Sequence, residues 1–341
     1  MKGNISLKLS IAMTTYNGSK FILEQLQSIA SQSLLPDEII ICDDCSKDNT
    51  TEIIERFKEN SHLNIKLIKN PNNLGVIKNF EKAITETTGD IIFLSDQDDY
   101  WFPQKLRVYT DAFENNKDVD FIFSDVQIAD KYLNVKSGSL FSYEQKSNPE
   151  RFVDDNHTNI MSFISMKLSA SGATIAFRSK LRSFILPIPE INHLLHDGWI
   201  EKIALSTSKC MMLAAPYSKY RQHDNNFDGY KSGIIYKFKD LINLYNFRQH
   251  EYDYLSAIKE RLINIDFDNK SKIIEIIIRK QNYLSKQIIH YNQKRYLRIL
   301  LTIFEYQISG VYAKYYRGTR TFTKDILALI IQIIFSIKSL F

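Results

Sequence analysis

The sequence predicts an α/β fold, with a parallel sheet covered on both faces, followed by a mostly α-helical C-terminal extension. Short apolar runs alternate with segments of helical periodicity over the first hundred residues, and the connections between them are short. Such alternation of strands and helices is typical of parallel sheets. Beyond Tyr230 the periodicity is helical and the composition becomes rich in Lys, Ile and Tyr.

The predicted elements follow one another in order along the chain. Four apolar runs predict strands at residues 9–13, 37–42, 65–68 and 91–94. Three helices lie between them, with apolar side chains at helical spacing: Phe21, Leu23, Leu26 and Ile29, behind Ser19 as N-cap; Ile53, Ile54 and Phe57; Val76, Phe80, Ala83 and Ile84. The second half adds a strand at 172–177, a helix from His196 or Asp197 to about Ser206, and a strand near 211–214.

An acidic turn, residues 96–99, ends the fourth predicted strand. Its three carboxylates repel one another unless a cation or hydrogen-bond donors compensate. Oxygen ligands of this kind suit Mg²⁺ or Mn²⁺ bound together with substrate phosphates, and the alternative is a solvated acidic turn. Asp43 and Asp44 follow a neighbouring strand, and ligands collect at the carboxyl edge of such sheets. The two acidic sites can therefore converge on one ligand.

The charge is distributed unevenly along the chain. The 341 residues carry a formal net charge of +5, but residues 230–341 hold 19 Lys and Arg against 9 Asp and Glu. A basic region of this kind indicates an anionic partner, either a membrane surface or nucleic acid. The positive residues alternate with Ile and Tyr and no nucleic-acid module is visible, so we expect amphipathic helices and no nucleic acid.

An apolar run at residues 326–337 is too short to cross a membrane, which needs about twenty apolar residues. It could lie in the membrane interface, with nearby Arg317, Arg320 and Lys324 facing the lipid headgroups. The alternative is a helix packed on the protein itself.

The N-terminus and the cysteines favour a cytoplasmic location. Residues 9–13 are too short for the apolar core of a secretory signal, and three cysteines do not make a disulfide framework. Cys42 and Cys45 have the C-x-x-C spacing of redox proteins, but the pair straddles a strand end and does not open a helix, which disfavours a redox function.

Four sequence blocks together resemble the family 2 glycosyltransferases: residues 10–18 (SIAMTTYNG), 42–50 (CDDCSKDNT), 73–75 (NLG) and 95–99 (SDQDD). The resemblance covers roughly residues 9–229. Three later blocks look like the subgroup described as rhamnosyltransferases: residues 171–172 (SG), 195–199 (LHDGW) and 220–223 (YRQH). That subgroup typically carries H-D-W-W, so Gly198 departs from its pattern and one aromatic side chain of the acceptor site is missing.

The resemblance implies an inverting enzyme with the Rossmann-like, A-type nucleotide-diphospho-sugar transferase fold. It also implies Mg²⁺ or Mn²⁺ held by Asp98, with Asp96 near the ribose or the metal and His223 as third ligand. The alternative for His223 is a structural histidine in the loop. The nucleotide sugar would contact further residues of the first blocks, with Asp44 accepting a hydrogen bond from the base: Thr14, Tyr16, Asn17, Asp43, Asp44, Asp96 and Gln97. Asp99 could equally be solvated or structural.

Inversion in one step needs a general base that takes the proton of the acceptor hydroxyl. Asp197 resembles the family's base, and the alternative is that it caps a helix. His196, Trp199 and Arg221 are candidate contacts to acceptor or diphosphate, with core packing the alternative for Trp199 and a surface salt bridge for Arg221.

These residues predict a catalytic domain at 1–229, with a nucleotide-binding half at 1–107 and an acceptor-binding half at 108–229. A basic helical region would follow at 230–341. The expected reaction moves a sugar, with dTDP-L-rhamnose as first candidate donor, to a hydroxyl of a glycan or lipid-linked glycan at the inner face of the cytoplasmic membrane. The alternatives are a UDP-hexose donor, or a non-catalytic nucleotide-sugar-binding subunit of a glycan assembly complex.

Overall fold

The computed structural model describes residues 7–139, 170–192, 194–224, 226, 244–292 and 296–308. The chain divides into two compact units. The first unit contains residues 1–156, 169–190 and 195–229, and the second contains residues 157–168, 191–194 and 230–341.

The first unit contains a mixed sheet that has nine strands among the described residues. These are β1 (Leu9–Thr15), β2 (Glu38–Asp43), β3 (Ile65–Lys69), β4 (Ile91–Ser95), β5 (Tyr100–Trp101), β6 (Val119–Ala129), β7 (Val135–Ser139), β8 (Ala176–Arg178) and β9 (Lys209–Arg221). The strand order is β3-β2-β1-β4-β8-β6-β9-β5, and β7 pairs with β6. The first four strands are mutually parallel, which confirms the predicted parallel sheet. From β8 onward the sheet is mixed, because β8 runs antiparallel to β4 and β6.

Six helices accompany this sheet in the described part of the first unit. They are α1 (Ile22–Ala30), α2 (Thr50–Glu59), α3 (Gly75–Thr85), α4 (Lys105–Asn115), α5 (Arg182–Ile185) and α6 (His196–Thr207). Every residue of β1, β2 and β4 is buried, as expected for parallel strands covered on both faces. Their apolar side chains form the core together with Leu26, Trp101 and Phe113.

Three sequence expectations need correction. The first helix begins at Ile22 and Ser19 does not cap it, because the N–H groups of Phe21 and Ile22 both donate to the Gly18 carbonyl, 3.0 Å away. Residues 172–174 form a 3₁₀ turn, so the strand expected at 172–177 is only Ala176–Arg178. The strand expected near 211–214 extends over thirteen residues as β9.

The described part of the second unit contains three helices, α7 (Leu244–Ile263), α8 (Lys270–Asn292) and α9 (Tyr296–Ile308). A buried ion-pair network lies among them: Glu251 pairs with Arg248 at 2.9 Å and with Lys280 at 2.5 Å. Within the described ranges, none of the helices combines the length and apolarity that a membrane crossing requires. The apolar run at 326–337 lies outside the described residues, and the predicted domain boundaries stay predictions.

Candidate active site

The carboxyl ends of β1, β2 and β4 meet at one edge of the sheet. Thr15 of β1 is in register with Asp43 of β2, and Met13 of β1 is in register with Ser95 of β4. The three turns that leave this edge carry Tyr16, Asp44 and the acidic residues 96–99. The fold therefore gathers the first, second and fourth sequence blocks at the place where parallel sheets bind ligands.

Asp96 lies at the centre of a cluster of carboxylates. Burial, together with the charges of Asp98 and Asp197, raises the pKa of Asp96 to about 8. A Cβ atom added to Gly172 would lie 3.6 Å from Asp197 Cβ and 3.7 Å from Asp96 Oδ2, so the acidic turn after β4 and the first turn of α6 face the same space. Such a concentration of negative charge favours a cation at this position.

Asp98 contacts the histidine of the last sequence block. Asp98 Oδ2 lies 2.8 Å from His223 Nε2, and both side chains are largely buried. The imidazole stacks on Phe21 with ring centroids 4.5 Å apart, and the backbone N–H of His223 donates to Asn226 Oδ1. The ring of His223 is therefore fixed with Nε2 directed at the carboxylate.

The pair Asp98–His223 fits two ligands of one divalent ion. The two atoms are at hydrogen-bond distance, and a carboxylate oxygen and an imidazole nitrogen would both be able to hold such an ion. Within the described part of the chain, no three His, Cys, Asp or Glu side chains surround one point as a complete metal site would require. A site with two or three protein ligands suits Mg²⁺ or Mn²⁺, which complete their shells with water and substrate phosphates.

Asp197 lies in the first turn of α6, where two backbone N–H groups hold its carboxylate. Gly172 N donates to Oδ2 at 3.1 Å and Gly198 N donates to Oδ1 at 2.7 Å. The N-cap of α6 is Leu195, which uses no side-chain bond. The partly exposed carboxylate is therefore fixed in direction and keeps lone pairs that can accept a proton.

The turn that holds Asp197 is itself fastened by α4. Tyr109 Oη donates to the Thr174 carbonyl at 2.7 Å, and Lys105 Nζ donates to the Ala173 carbonyl. Lys105 is fully buried with its ammonium 3.7 Å from the centre of the Trp101 ring. Sequence reasoning missed Lys105, although a lysine on the apolar face that also carries Tyr109 was a usable signal.

Lys105 and Asp99 are both fully buried, and burial shifts their pKa values in opposite directions. Burial lowers the pKa of Lys105 to about 7, against the opposing charges of Asp99 and Asp96. Burial and the charges of Asp96 and Asp98 hold the pKa of Asp99 well above its usual range. Neither Asp99 oxygen has a hydrogen-bond partner among the described residues, so Asp99 is a buried carboxyl and the solvated alternative is wrong.

Asp43 and Asp44 are engaged by protein donors. Asp43 accepts from Thr15 Oγ1 and from the N–H and hydroxyl of Ser46. Asp44 accepts from the side chain of Asn70 at 3.0 Å and from the backbone of the third sequence block, at Leu74 N and Gly75 N. A carboxylate has about four acceptor sites, so Asp44 retains about one for a further donor.

Tyr16 presents the most exposed ring of this edge, with 49% of its surface accessible, whereas Thr14 is buried in β1. Asn17 has a left-handed backbone, φ 49°, and its side chain accepts from Lys47 N at 2.8 Å. Gln97 turns its amide onto the backbone of Tyr16. Tyr16 therefore remains the residue available for stacking, and Gln97 holds its backbone.

His196 and Trp199 are buried beneath the site. His196 stacks on Phe80 with centroids 3.6 Å apart, and burial lowers its pKa to about 4, so it is neutral. Trp199 donates from Nε1 to the Ile185 carbonyl at 2.8 Å. Trp199 therefore packs in the core, as its alternative proposed, and does not face an acceptor site.

Arg221 is 2% exposed and connects three segments of the first unit. Its guanidinium donates to the carbonyls of Asp98 and Lys131 and to the carboxylate of Glu24, at 2.6 to 2.9 Å. The predicted diphosphate contact is therefore replaced by support of the Asp98 turn. Burial raises the pKa of Cys42 to about 11, which further disfavours a redox function for Cys42 and Cys45.

The fold is that of the nucleotide-sugar transferases of the A type. Residues 10–170 match the family described as glycosyl transferase family 2, and the chain carries a domain of that family. The chain is similar to the dTDP-rhamnosyl transferase RfbG of Shigella flexneri, with 28% identity over 240 residues, 67% of this chain and 78% of that protein. It spans less than half the length of some other curated relatives, 46% in one case.

Two solved structures have a similar fold. TarS of S. aureus, residues 1–349 in complex with UDP-GlcNAc, superposes with a TM-score of 0.56 at 20% identity, over 80% of this chain and 72% of that one. The mannosyltransferase PcManGT of Pyrobaculum calidifontis, in complex with GDP-Man and Mn²⁺, superposes with a TM-score of 0.52 at 16% identity. The superposition covers 97% of this chain and 87% of that one. At these identities the similarity supports the fold alone.

Proposed function

We propose that this protein transfers a sugar from a nucleotide-diphosphate donor to a hydroxyl of a growing bacterial surface glycan, with inversion at the anomeric carbon. The observation that carries the proposal is the approach of Asp96 and Asp197 to the same side of Gly172. Gln97, in the same acidic turn as Asp96, contacts the backbone of the exposed Tyr16. A departing diphosphate is stabilised by a cation, and an attacking hydroxyl needs a base that takes its proton. In this proposal the acidic turn holds the cation and Asp197 is the base.

Asp197 is proposed as the general base. The backbone N–H groups of Gly172 and Gly198 hold its carboxylate in one orientation, which leaves a lone pair for the acceptor hydroxyl. As that oxygen attacks the anomeric carbon, its proton passes to Asp197 and the bond to the diphosphate breaks. A positioned base of this kind contributes about 10²–10⁴ in rate.

Asp98 and His223 are proposed to hold Mg²⁺ or Mn²⁺, with Asp96 beside them. The metal would act as a Lewis acid that stabilises the charge developing on the departing diphosphate. Arg221 holds the Asp98 carbonyl from behind and so keeps the turn in place. The Tyr16 ring is proposed to stack on the nucleobase, and the last acceptor site of Asp44 is available to its N–H.

The first candidate donor is dTDP-L-rhamnose, because the chain is similar over 67% of its length to RfbG, which is described as a dTDP-rhamnosyl transferase. A UDP-hexose is the second candidate, with UDP-N-acetylglucosamine named for the TarS complex. In this proposal the acceptor is a lipid-linked glycan, and the basic C-terminal region brings the protein to the inner face of the cytoplasmic membrane.

The experiment is a thermal-shift screen of nucleotide sugars with Mn²⁺, followed by turnover with each stabilising donor. A ligand that binds only the folded protein raises the midpoint as its concentration exceeds Kd. The proposal expects one nucleotide family to stabilise strongly and to be consumed by wild type but not by Asp197→Asn. Binding without turnover, in every donor and equally in wild type and Asp98→Ala, would favour the non-catalytic alternative.

A further inference from the structure

Gln97 closes a two-point clamp on the backbone of Tyr16. Gln97 Oε1 accepts from Tyr16 N at 2.9 Å, and Gln97 Nε2 donates to the Tyr16 carbonyl at 3.0 Å. One carboxamide thus pairs with both backbone groups of one residue, as a neighbouring strand would. The bonds join positions 81 residues apart in the chain.

Gly18 makes the clamp possible. A Cβ atom on Gly18 would lie 1.9 Å from Gln97 Oε1 and 2.3 Å from its Cδ, far inside van der Waals contact. The absence of a side chain at Gly18 is therefore what allows the Gln97 amide to reach Tyr16. The two residues depend on each other.

The opposite side of the same loop is fastened to the turn after β2. Asn17 N donates to Ser46 Oγ at 2.9 Å, and Lys47 N donates to Asn17 Oδ1 at 2.8 Å. The turn after β2 therefore secures Asn17, and Gln97 alone secures Tyr16 among the side-chain hydrogen bonds of the described residues. The Tyr16 ring stays exposed while its main chain is held.

We propose that Gln97 is a positioning residue that fixes Tyr16 for nucleobase stacking and ties it to the acidic turn. This inference rests on the proposed function. It reassigns Gln97 from a direct ligand contact to a contact with Tyr16. Because Gln97 stands between Asp96 and Asp98 in the chain, the clamp also sets the spacing between the base end and the diphosphate end of the site. Loss of the clamp should weaken nucleotide binding and leave the rate of the chemical step nearly unchanged.

The test measures Kd for UDP, dTDP and GDP with Mn²⁺ by calorimetry, and donor KM and kcat with the cognate nucleotide sugar. Gln97→Ala should raise Kd and KM about tenfold, the loss expected from two neutral hydrogen bonds. The kcat at saturating donor should stay within about threefold. Gln97→Glu, which accepts from Tyr16 N but cannot donate to its carbonyl, should fall between wild type and Gln97→Ala. Gln27→Ala, an exposed glutamine of α1, is the matched control and should match wild type.

A double-mutant cycle tests whether Gly18 acts through Gln97. Gly18→Ala alone should raise Kd as much as Gln97→Ala, since its methyl group displaces the amide. The double variant Gly18→Ala/Gln97→Ala should bind no more weakly than Gln97→Ala, because the Gln97 atoms that the methyl group would meet are then absent. Fully additive losses would overturn the interdependence of the two residues.

The outcomes distinguish failure of the clamp proposal from failure of the proposed function. A wild-type protein that binds none of the three nucleotides overturns both. A wild-type protein that binds one of them, with Gln97→Ala binding equally well and folding normally, overturns the clamp alone. A loss confined to kcat would assign Gln97 to the chemistry and contradict a positioning role.

Discussion

Asp98 Oδ2 and His223 Nε2 lie 2.8 Å apart although 125 positions separate the residues in the chain. The approach joins the turn after β4 to the segment that follows β9, the longest strand of the described sheet. Arg221, two residues before the histidine, secures the same turn through the Asp98 carbonyl. The residues at the end of β9 and just after it are thereby fastened to the acidic turn.

Removing the metal should abolish turnover. We expect excess EDTA to stop sugar transfer and Mn²⁺ to restore it, because the carboxylate cluster alone cannot stabilise a departing diphosphate. Asp98→Asn, which keeps the shape and removes the charge, should lower kcat/KM at least about 100-fold. His223→Gln should raise the Mn²⁺ concentration needed for half-maximal rate. Full activity in excess chelator would exclude the metal role.

Replacing the proposed base should lower the rate without weakening donor binding. Asp197→Asn keeps an acceptor for the Gly172 N–H but loses the proton acceptor, so kcat should fall about 10²–10⁴-fold. The Kd for the nucleoside diphosphate should stay within about threefold. Asp111→Asn, a half-exposed aspartate of α4, is the control and should keep wild-type kinetics. Steady-state assays and calorimetry on the three proteins check this.

Adding a methyl group at Gly172 should disturb the base. An added Cβ would lie 3.2 Å from His196 Nε2, 3.6 Å from Asp197 Cβ and 3.7 Å from Asp96 Oδ2. His196 is stacked on Phe80 and cannot yield freely, so the turn must move and carry its N–H away from Asp197. Gly172→Ala should lower kcat about tenfold and cost about 1–3 kcal/mol of stability. Unchanged kcat would show that the turn does not position Asp197.

Acid should weaken the second unit through Glu251. Burial alone would raise its pKa, but the charges of Lys280 and Arg248 outweigh it and hold the pKa of Glu251 below the usual value of 4.5. A lowered pKa stabilises the folded state above about pH 4.5, and that contribution is lost as the pH falls below it. Glu251→Gln should cost about 3–5 kcal/mol at pH 7, since two buried cations lose their partner.

The measurement is the thermal midpoint of the helical signal between pH 3 and pH 7. The difference in thermal midpoint between wild type and Glu251→Gln should become smaller toward pH 3. Glu275→Gln, which breaks an exposed pair with Arg279, should shift the midpoint little at any pH. A gap that stays constant with pH would contradict the assignment to Glu251.

The parallel half of the sheet was predictable because its strands are buried on both faces and read as continuous apolar runs. Strand β6 was not predicted, because Asp120, Ser124, Asp125 and Gln127 interrupt its apolar pattern. The burial of Asp120, Ser124 and Asp125 depends on neighbouring strands that lie far away in the chain. The 3₁₀ turn at 172–174 replaces part of the predicted strand. Its carbonyls accept hydrogen bonds from Lys105 and Tyr109, which lie more than sixty residues away in the chain.

The acidic turn and Asp197 were found through motif and resemblance, and geometry changed the role expected of several neighbours. Gln97 and Arg221 were expected at the ligand, yet their donors reach the backbone of Tyr16 and Asp98. A motif identifies which residues recur at a site, but only coordinates show which of them face each other. Lys105 shows the converse, since no motif marks a lysine buried against a Trp ring.

The most direct test is release of the nucleoside diphosphate from a panel of dTDP-, UDP- and GDP-sugars, in the presence of Mn²⁺ and a lipid-linked acceptor. Wild type, Asp98→Asn and Asp197→Asn are compared side by side. We predict that wild type consumes one donor, that both variants lose about 100-fold or more in rate, and that only Asp197→Asn retains nucleotide affinity. Equal rates in all three proteins, or none with any donor, would contradict glycosyl transfer at this site.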